Sequence, residues 1–185
     1  MIRNMPVSAM IGLTFTGLYF LAAILAPLIA PFGMAEVVGD VWEPSSAGHL
    51  LGTDNIGRDL LTRMIYGGRT TIFIATAGTI LSFVTGSILG FLAAVLGGWA
   101  DQMLSRMVDL LMSIPSLILA LVVLAVVPVT VTTLIIVMGL LDATRVFRLS
   151  RAVAADINVM DFVEAAKLRG EGRGWIIFRE ILPNA

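Results

Sequence analysis

Three stretches of this 185-residue chain carry no charged residue: Asn4–Ala35, Thr70–Ala100 and Leu110–Leu141. Runs of that length leave few folds open. About 20 apolar residues in a helix cross a hydrocarbon layer, and a backbone in lipid has to satisfy its own hydrogen bonds. Hydrophobic residues make up 58% of the chain and charged residues 14%, against roughly 25% charged in soluble domains. That is more apolar surface than one small core can bury. The chain reads as an all-α polytopic membrane protein.

The first uncharged run gives a span from about Val7 to Ala30, ending near Pro31. It is longer than a signal-peptide apolar region and lacks a small-residue cleavage site, so residues 1–30 read as a retained N-terminal anchor. The second run gives a span over about residues 70–97. Within it Ser82, Gly86, Gly90 and Ala94 recur at every fourth position. They place small residues on one stripe where another helix can approach, a packing face before it is a pore lining. The net charge of −1 argues against a basic-surface nucleic-acid binder. The absence of cysteine excludes a disulfide framework, a thiolate nucleophile and a zinc–thiolate site. His49 is the only histidine, and in a loop rich in Gly and Asp it reads as an ordinary loop residue. Gly170-Glu171-Gly172-Arg173-Gly174 lacks the spacing and preceding strand of a phosphate cradle, and no Walker A, Gly-x-Ser-x-Gly or His-Glu-x-x-His pattern occurs. No enzymatic role and no cofactor are expected.

The run Asp161–Pro183 is soluble in character. Asp161 is placed to cap a helix and Glu164 to bond back to it, a capping box. Lys167 and Arg169 fall in the last turn, and Gly170 suits a left-handed stop. A short helix over Phe162–Arg169 is expected. Glu164-Ala165-Ala166, then Gly170 after three residues, then Leu182-Pro183 after a further eleven, resembles the signature of the inner-membrane permease subunits of binding-protein-dependent ABC importers. In that family the loop is a coupling helix that docks in a groove of the ATPase subunit. The resemblance implies that Asp161, Glu164, Ala165, Ala166, Gly170, Leu182 and Pro183 serve ATPase coupling. Where many relatives carry an aliphatic residue two positions before the leucine, this chain has Glu180.

A second motif lies far away: His49-Leu50-Leu51-Gly52-Thr53-Asp54-Asn55-Ile56-Gly57-Arg58-Asp59, followed by Arg63, Tyr66-Gly67 and Arg69. It is similar to the segment before the second span in dipeptide, oligopeptide and nickel importer permeases. Gly52, Thr53, Asp54, Gly57, Arg58 and Asp59 are its motif positions. Gly97–Asp101 and Ser113–Leu117 also fit, so the resemblance covers nearly the whole chain. It implies a type I ABC importer transmembrane domain, C-terminally truncated, with about four of the usual six spans.

The third uncharged run would make a helix of roughly 48 Å, too long for one span. Pro128, beside Val129 and Thr130, is the natural place for a hairpin. With the resemblance as guide, the run divides into a third span of about 103–127 and a fourth of about 131–150, followed by a coupling loop over 151–183. Residues 70–185 would then form a partial permease domain. Arg106 with Asp109, and Asp142 with Arg145, stand three apart and are expected to neutralise each other. Four spans put the N-terminus on the same side as the segment after Ser150. That side carries nine Lys or Arg against three on the other, and so is expected to be cytoplasmic. Arg145, Arg148 and Arg151 form a stripe placed for inner-leaflet phosphates. Arg58, Arg63 and Arg69 fall outside, where Asp54 and Asp59 blunt them, with Asp59 paired to Arg63 four residues on. The outer segment, 31–69, is expected to hold an in-plane amphipathic helix near Asp59–Ile65, a positioning element or part of a docking surface. Trp42 and Trp99 suit the membrane interface.

The function implied is a permease subunit of an ATP-driven importer in a bacterial inner membrane, multi-pass, for peptides or related small solutes. Its expected partners are a second permease subunit, two cytoplasmic ATPase subunits, a periplasmic or extracellular substrate-binding protein and membrane lipid, with no nucleic acid. The alternative from another class is a non-transporting four-span scaffold or a regulatory or degenerate fragment. A secondary transporter is disfavoured by the lack of an inverted repeat.

Overall fold

The computed structural model describes residues 6–185. The start of the expected anchor, residues 1–5, lies outside them. Among the described residues the fold is helical, and extended pairing is limited to the isolated bridges Val37 with Arg58 and Thr53 with Asp59. The chain forms two compact units, Met1–Phe73 and Ile74–Ala185.

The first unit opens with α1, Val7–Ile29. It continues through a folded loop to the first turns of α2, Leu60–Leu96. No separate in-plane helix forms before the second span, because residues 60–65 are the opening turns of α2 itself. Asp59, immediately before the helix, accepts the Thr62 amide at 2.7 Å. That N-cap bond starts the helix at Leu60, and neither Gly67 nor Gly68 interrupts it.

In the second unit α3 spans Gly98–Ser113, α4 Ser116–Val126 and α5 Val131–Asn158. The expected single span over 103–127 is instead a broken one, since α3 and α4 are bent by 88°. The cause is local. Pro115 pushes the residue before it out of the helical region, and Ile114 is extended at φ −97° and ψ 131°. Two helices, α1 and α2, are long and apolar enough to cross a membrane, and the bent pair makes a third if it counts as one span. The segment expected as a fourth span, about 131–150, falls in the first part of α5, where charge begins at Asp142, and α5 is not among the helices long and apolar enough to cross a membrane. The turn at Pro128 stands where it was expected. Thr130 caps α5 by accepting the Thr133 amide at 3.1 Å.

The stripe of small residues on α2 is a packing face for α5. A Cβ on Gly86 would stand 2.6 Å from the Ala143 carbonyl oxygen, and one on Gly90 2.7 Å from that of Phe147. Gly139 returns the fit from α5, where a Cβ would meet the Leu81 side chain at 2.8 Å. Ser150 donates to Ser87 at 3.3 Å between the same helices. Arg106 with Asp109 and Asp142 with Arg145 form no ion pair among the described residues. Nor is the arginine stripe of α5 wholly free: Arg151 binds Asp101 through both carboxylate oxygens, and Arg148 reaches the Met112 sulfur at 3.8 Å.

Gly90→Val places branched carbon against backbone that has no room to retreat. It should lower the thermal stability of the detergent-purified protein by about 1–3 kcal/mol. Gly68→Ala, in open space, should leave stability unchanged or raise it by up to about 1 kcal/mol.

Candidate functional site

The segment after α5 builds the candidate site. The Met160 amide bonds back to the Ile157 carbonyl at 3.0 Å, and a new helix, α6, runs Asp161–Leu168. Its cap is Met160, whose carbonyl accepts the amides of Val163 and Glu164 at 3.0 and 3.1 Å. The expected capping box is therefore absent. Asp161 sits inside the first turn, where its side chain makes no cap bond. Asp161 and Glu164 instead place two carboxylates in the first turn, the positive end of the helix dipole.

The other end forms as expected. Gly170 is left-handed at φ +81°. Its amide bonds the Lys167 carbonyl at 3.0 Å while the Glu171 amide bonds that of Ala166 at 3.2 Å, the Schellman arrangement. Lys167 reaches back to the Asn158 carbonyl at 3.1 Å, satisfying an orphan acceptor at the end of α5.

Helix α6 has two unlike faces. Val163 and Ala166 are buried in a cluster with Phe91, Ala154, Ile157 and Ile177. Phe162, Ala165 and Leu168 point outward, Leu168 at 85% exposure. The paired alanines thus do different work, with Ala166 closing the core and Ala165 lowering the outer surface. Among the described residues the Glu164 carboxylate has no hydrogen bond or ion pair. Past Gly170 a single turn, α7 (Arg173–Trp175), leads into a π-type turn, Ile176–Ile181. Glu180 ties this return to α6. It stands 3.6 Å from Arg169, whose guanidinium lies 6.0 Å from the Trp175 ring centre. Leu182 and Pro183 are exposed beyond buried Ile181. They do not join the outer face of α6, and Leu182 lines an apolar groove of about 410 Å³ with Phe83, Phe91, Ile177 and Phe178.

The motif Gly52–Asp59 builds the folded loop of the first unit. Asp54 accepts the amides of Ile56 and Arg58 at 2.9 and 3.0 Å on one oxygen, and the Arg58 and Arg63 guanidiniums on the other. Arg63 therefore pairs with Asp54 and not with Asp59 as expected. Asp59 is held by the Thr62 amide and by His49, 3.3 Å away. Thr53 is buried, donating to the Asp40 carbonyl at 2.5 Å and accepting the Glu43 amide at 2.8 Å. Gly52 and Gly57 have φ near +76° and +79°, and a side chain on either would strike backbone oxygen. His49 also packs its ring 5.5 Å from that of Phe32. Exposed Trp42 adopts φ +58°, an uncommon backbone for so bulky a residue.

Burial alone would raise the Asp54 carboxyl, but the amides and guanidinium around it outweigh this and hold it well below the usual carboxylate range. Asp59 is lowered in the same way, its burial overcome by Thr62 and His49.

Residues 86–185 match the family described as the binding-protein-dependent transport system inner membrane component. The chain belongs to this family. Its all-α membrane fold is that of the type I importer permeases the two motifs resemble. The chain is 34% identical over 183 residues to the dipeptide transport system permease protein DppC of Haemophilus influenzae, covering 95% of this chain and 62% of that protein. It is 34% identical over 181 residues to the di/tripeptide transport system permease protein DppC of Pseudomonas aeruginosa (94% and 59%). It is 31% identical over 178 residues to the oligopeptide transport system permease protein OppC of Bacillus subtilis (96% and 58%). The chain spans about three-fifths of the length of these curated relatives.

Asp101, which binds Arg151, was legible only as part of a similar stretch. No local signal links residues 50 apart.

Because both native carboxyls are lowered, the folded loop is favoured at every pH above the ordinary carboxylate range and loses that advantage as pH falls through the lowered native values. Hydrogen exchange of residues 37–63, corrected for intrinsic rates, should be constant from neutrality to about pH 4 and rise below it. Asp54→Asn should raise it at neutral pH already.

Proposed function

We propose that this chain acts as the permease subunit of an ATP-driven, binding-protein-dependent importer in a bacterial inner membrane. The 161–170 loop is its contact with the ATPase. The observation that carries this is the two-sidedness of α6. One face is locked into the core by Val163 and Ala166, while Phe162, Ala165 and Leu168 stand exposed beside an unpartnered Glu164. A helix in water gains nothing from an apolar outer stripe, whereas a partner groove does. The stripe lies within the residues that match the permease family.

ATP-driven closure of two ATPase subunits would move this permease and a second one through such helices, alternating access to the pathway between them. Cargo would be delivered by a separate substrate-binding protein. Peptides or related small solutes are the cargo class, on the names of the relatives. The nine-to-three distribution of basic residues supports a cytoplasmic N-terminus and four crossings. Two of the opposing three, Arg58 and Arg63, are spent on Asp54.

Leu168→Glu puts charge on the outer stripe, and Gly170→Val strains the left-handed stop. Both should insert into the membrane normally. Both should weaken ATPase co-purification and substrate-stimulated ATP hydrolysis by about tenfold, the range of a good interface residue. Normal hydrolysis in vesicles carrying both variants would remove the loop from the ATPase contact.

A further inference from the structure

Helix α3 is loosely held for a helix in a packed unit. None of its 16 residues is buried. It is entered through Gly97 and Gly98, both left-handed at φ +61° and +53°, with open space where their side chains would stand. It is left through the 88° break at Ile114–Pro115. Each end is a place where the backbone can turn.

One strong contact fixes α3 against α5. The Arg151 guanidinium engages both oxygens of Asp101, with Nη2 at 2.6 Å from Oδ2, and Ser105 supports the same carboxylate at 3.4 Å. A two-pronged pair fixes direction as well as distance. Asp101 also lies in the first turn of α3, where negative charge suits the dipole. Arg151 itself cannot drift, because its backbone nitrogen sits 2.9 Å from the place a Gly90 side chain would occupy. From Arg151 the helix runs unbroken to Asn158, whose side chain donates to the Ala94 carbonyl at 3.4 Å and whose carbonyl receives Lys167 of α6.

We propose that Asp101 and Arg151 are a positioning pair that makes α3 travel with α5, and so with the loop around Glu164, when that loop is driven. This rests on the reading of the loop as the ATPase contact. A partly exposed ion pair adds little to stability. Its worth here is geometric, as the only ion pair among the described residues that ties α3 to the helix that carries the loop.

The test uses the assembled transporter in proteoliposomes, with the ratio of solute transported to ATP hydrolysed as the readout. Asp101→Asn and Arg151→Gln should each lower this ratio by about tenfold, an ordinary coupling free energy, while the ATPase stays bound in wild-type amount. The exchanged double variant, Asp101→Arg with Arg151→Asp, should recover most of it. Single variants with the wild-type ratio, or an exchange that recovers nothing, would overturn the proposal.

A second readout follows motion directly. The chain has no cysteine, so spin labels on Gln102→Cys and Ala155→Cys, both exposed, report the α3–α5 distance alone. That distance should be narrowly distributed in every nucleotide state, and broad once Asp101 is Asn. A distribution still narrow in the Asn variant would equally overturn it. Failure of the loop reading is separate and shows in the Leu168 and Gly170 variants as unchanged ATPase binding.

Discussion

Helix α5 lies within contact distance of the α2 backbone because Gly86 and Gly90 carry no side chain, and the rest of the second unit depends on that approach. In lipid there is little hydrophobic drive between helices, so association relies on close van der Waals fit and a few interhelical hydrogen bonds. Both are present: glycine meets backbone oxygen along the stripe, and Ser87 meets Ser150. Ala93 and Ala154 are fully buried, and Phe91 extends the same packing toward the loop. The place of α5 then fixes where α6 begins, since only Val159 and Met160 separate them.

The two family motifs use charge in opposite ways. In the folded loop every carboxylate of the motif is committed. Asp54 takes two amides and two guanidiniums, and Asp59 takes an amide and His49. Both side chains are buried and hold the backbone of the loop in place. On α6 the carboxylate of Glu164 has no partner among the described residues, beside an apolar stripe that the core does not use. The same distinction accounts for Glu180. Its departure from the aliphatic pattern is compensated by Arg169, and the pair braces the turn at Gly170.

Features set by neighbours in sequence were legible. The left-handed stop at Gly170, the turn at Pro128 and the small-residue stripe each depend on a residue's own backbone or on helical spacing. The break of the third span had a local signal too, since proline restrains the residue before it. Apolar length obscured it, because hydropathy is the same for a straight helix and a bent one. The position of the α6 cap shifted by one residue because the Met160 carbonyl already accepts the first amides. Partner choice was least legible. Arg63 had two carboxylates within reach in sequence, Asp59 at helical spacing and Asp54 across a turn. The loop decided for Asp54 because Asp59 was already occupied in capping α2. Asp101 with Arg151 offered no spacing at all.

That choice by Arg63 bears on how the charge count should be weighed. In the proposed four-crossing topology, three arginines opposite the basic side are a poor fit to a simple count of positive residues. Arg58 and Arg63 share Asp54, however, and its buried carboxylate offsets one of their two charges. Among the described residues only Arg69 of the three has no acidic partner. Among the described basic residues assigned to the other side, Arg151 and Arg169 are in ion pairs, while Arg106, Arg145, Arg148, Lys167, Arg173 and Arg179 are in none. Counted as described residues without an acidic partner, the basic residues stand six to one in that topology. The pairing also explains why a motif rich in arginine can be tolerated beside a span, since the fold of the loop supplies the counter-charge before the membrane has to.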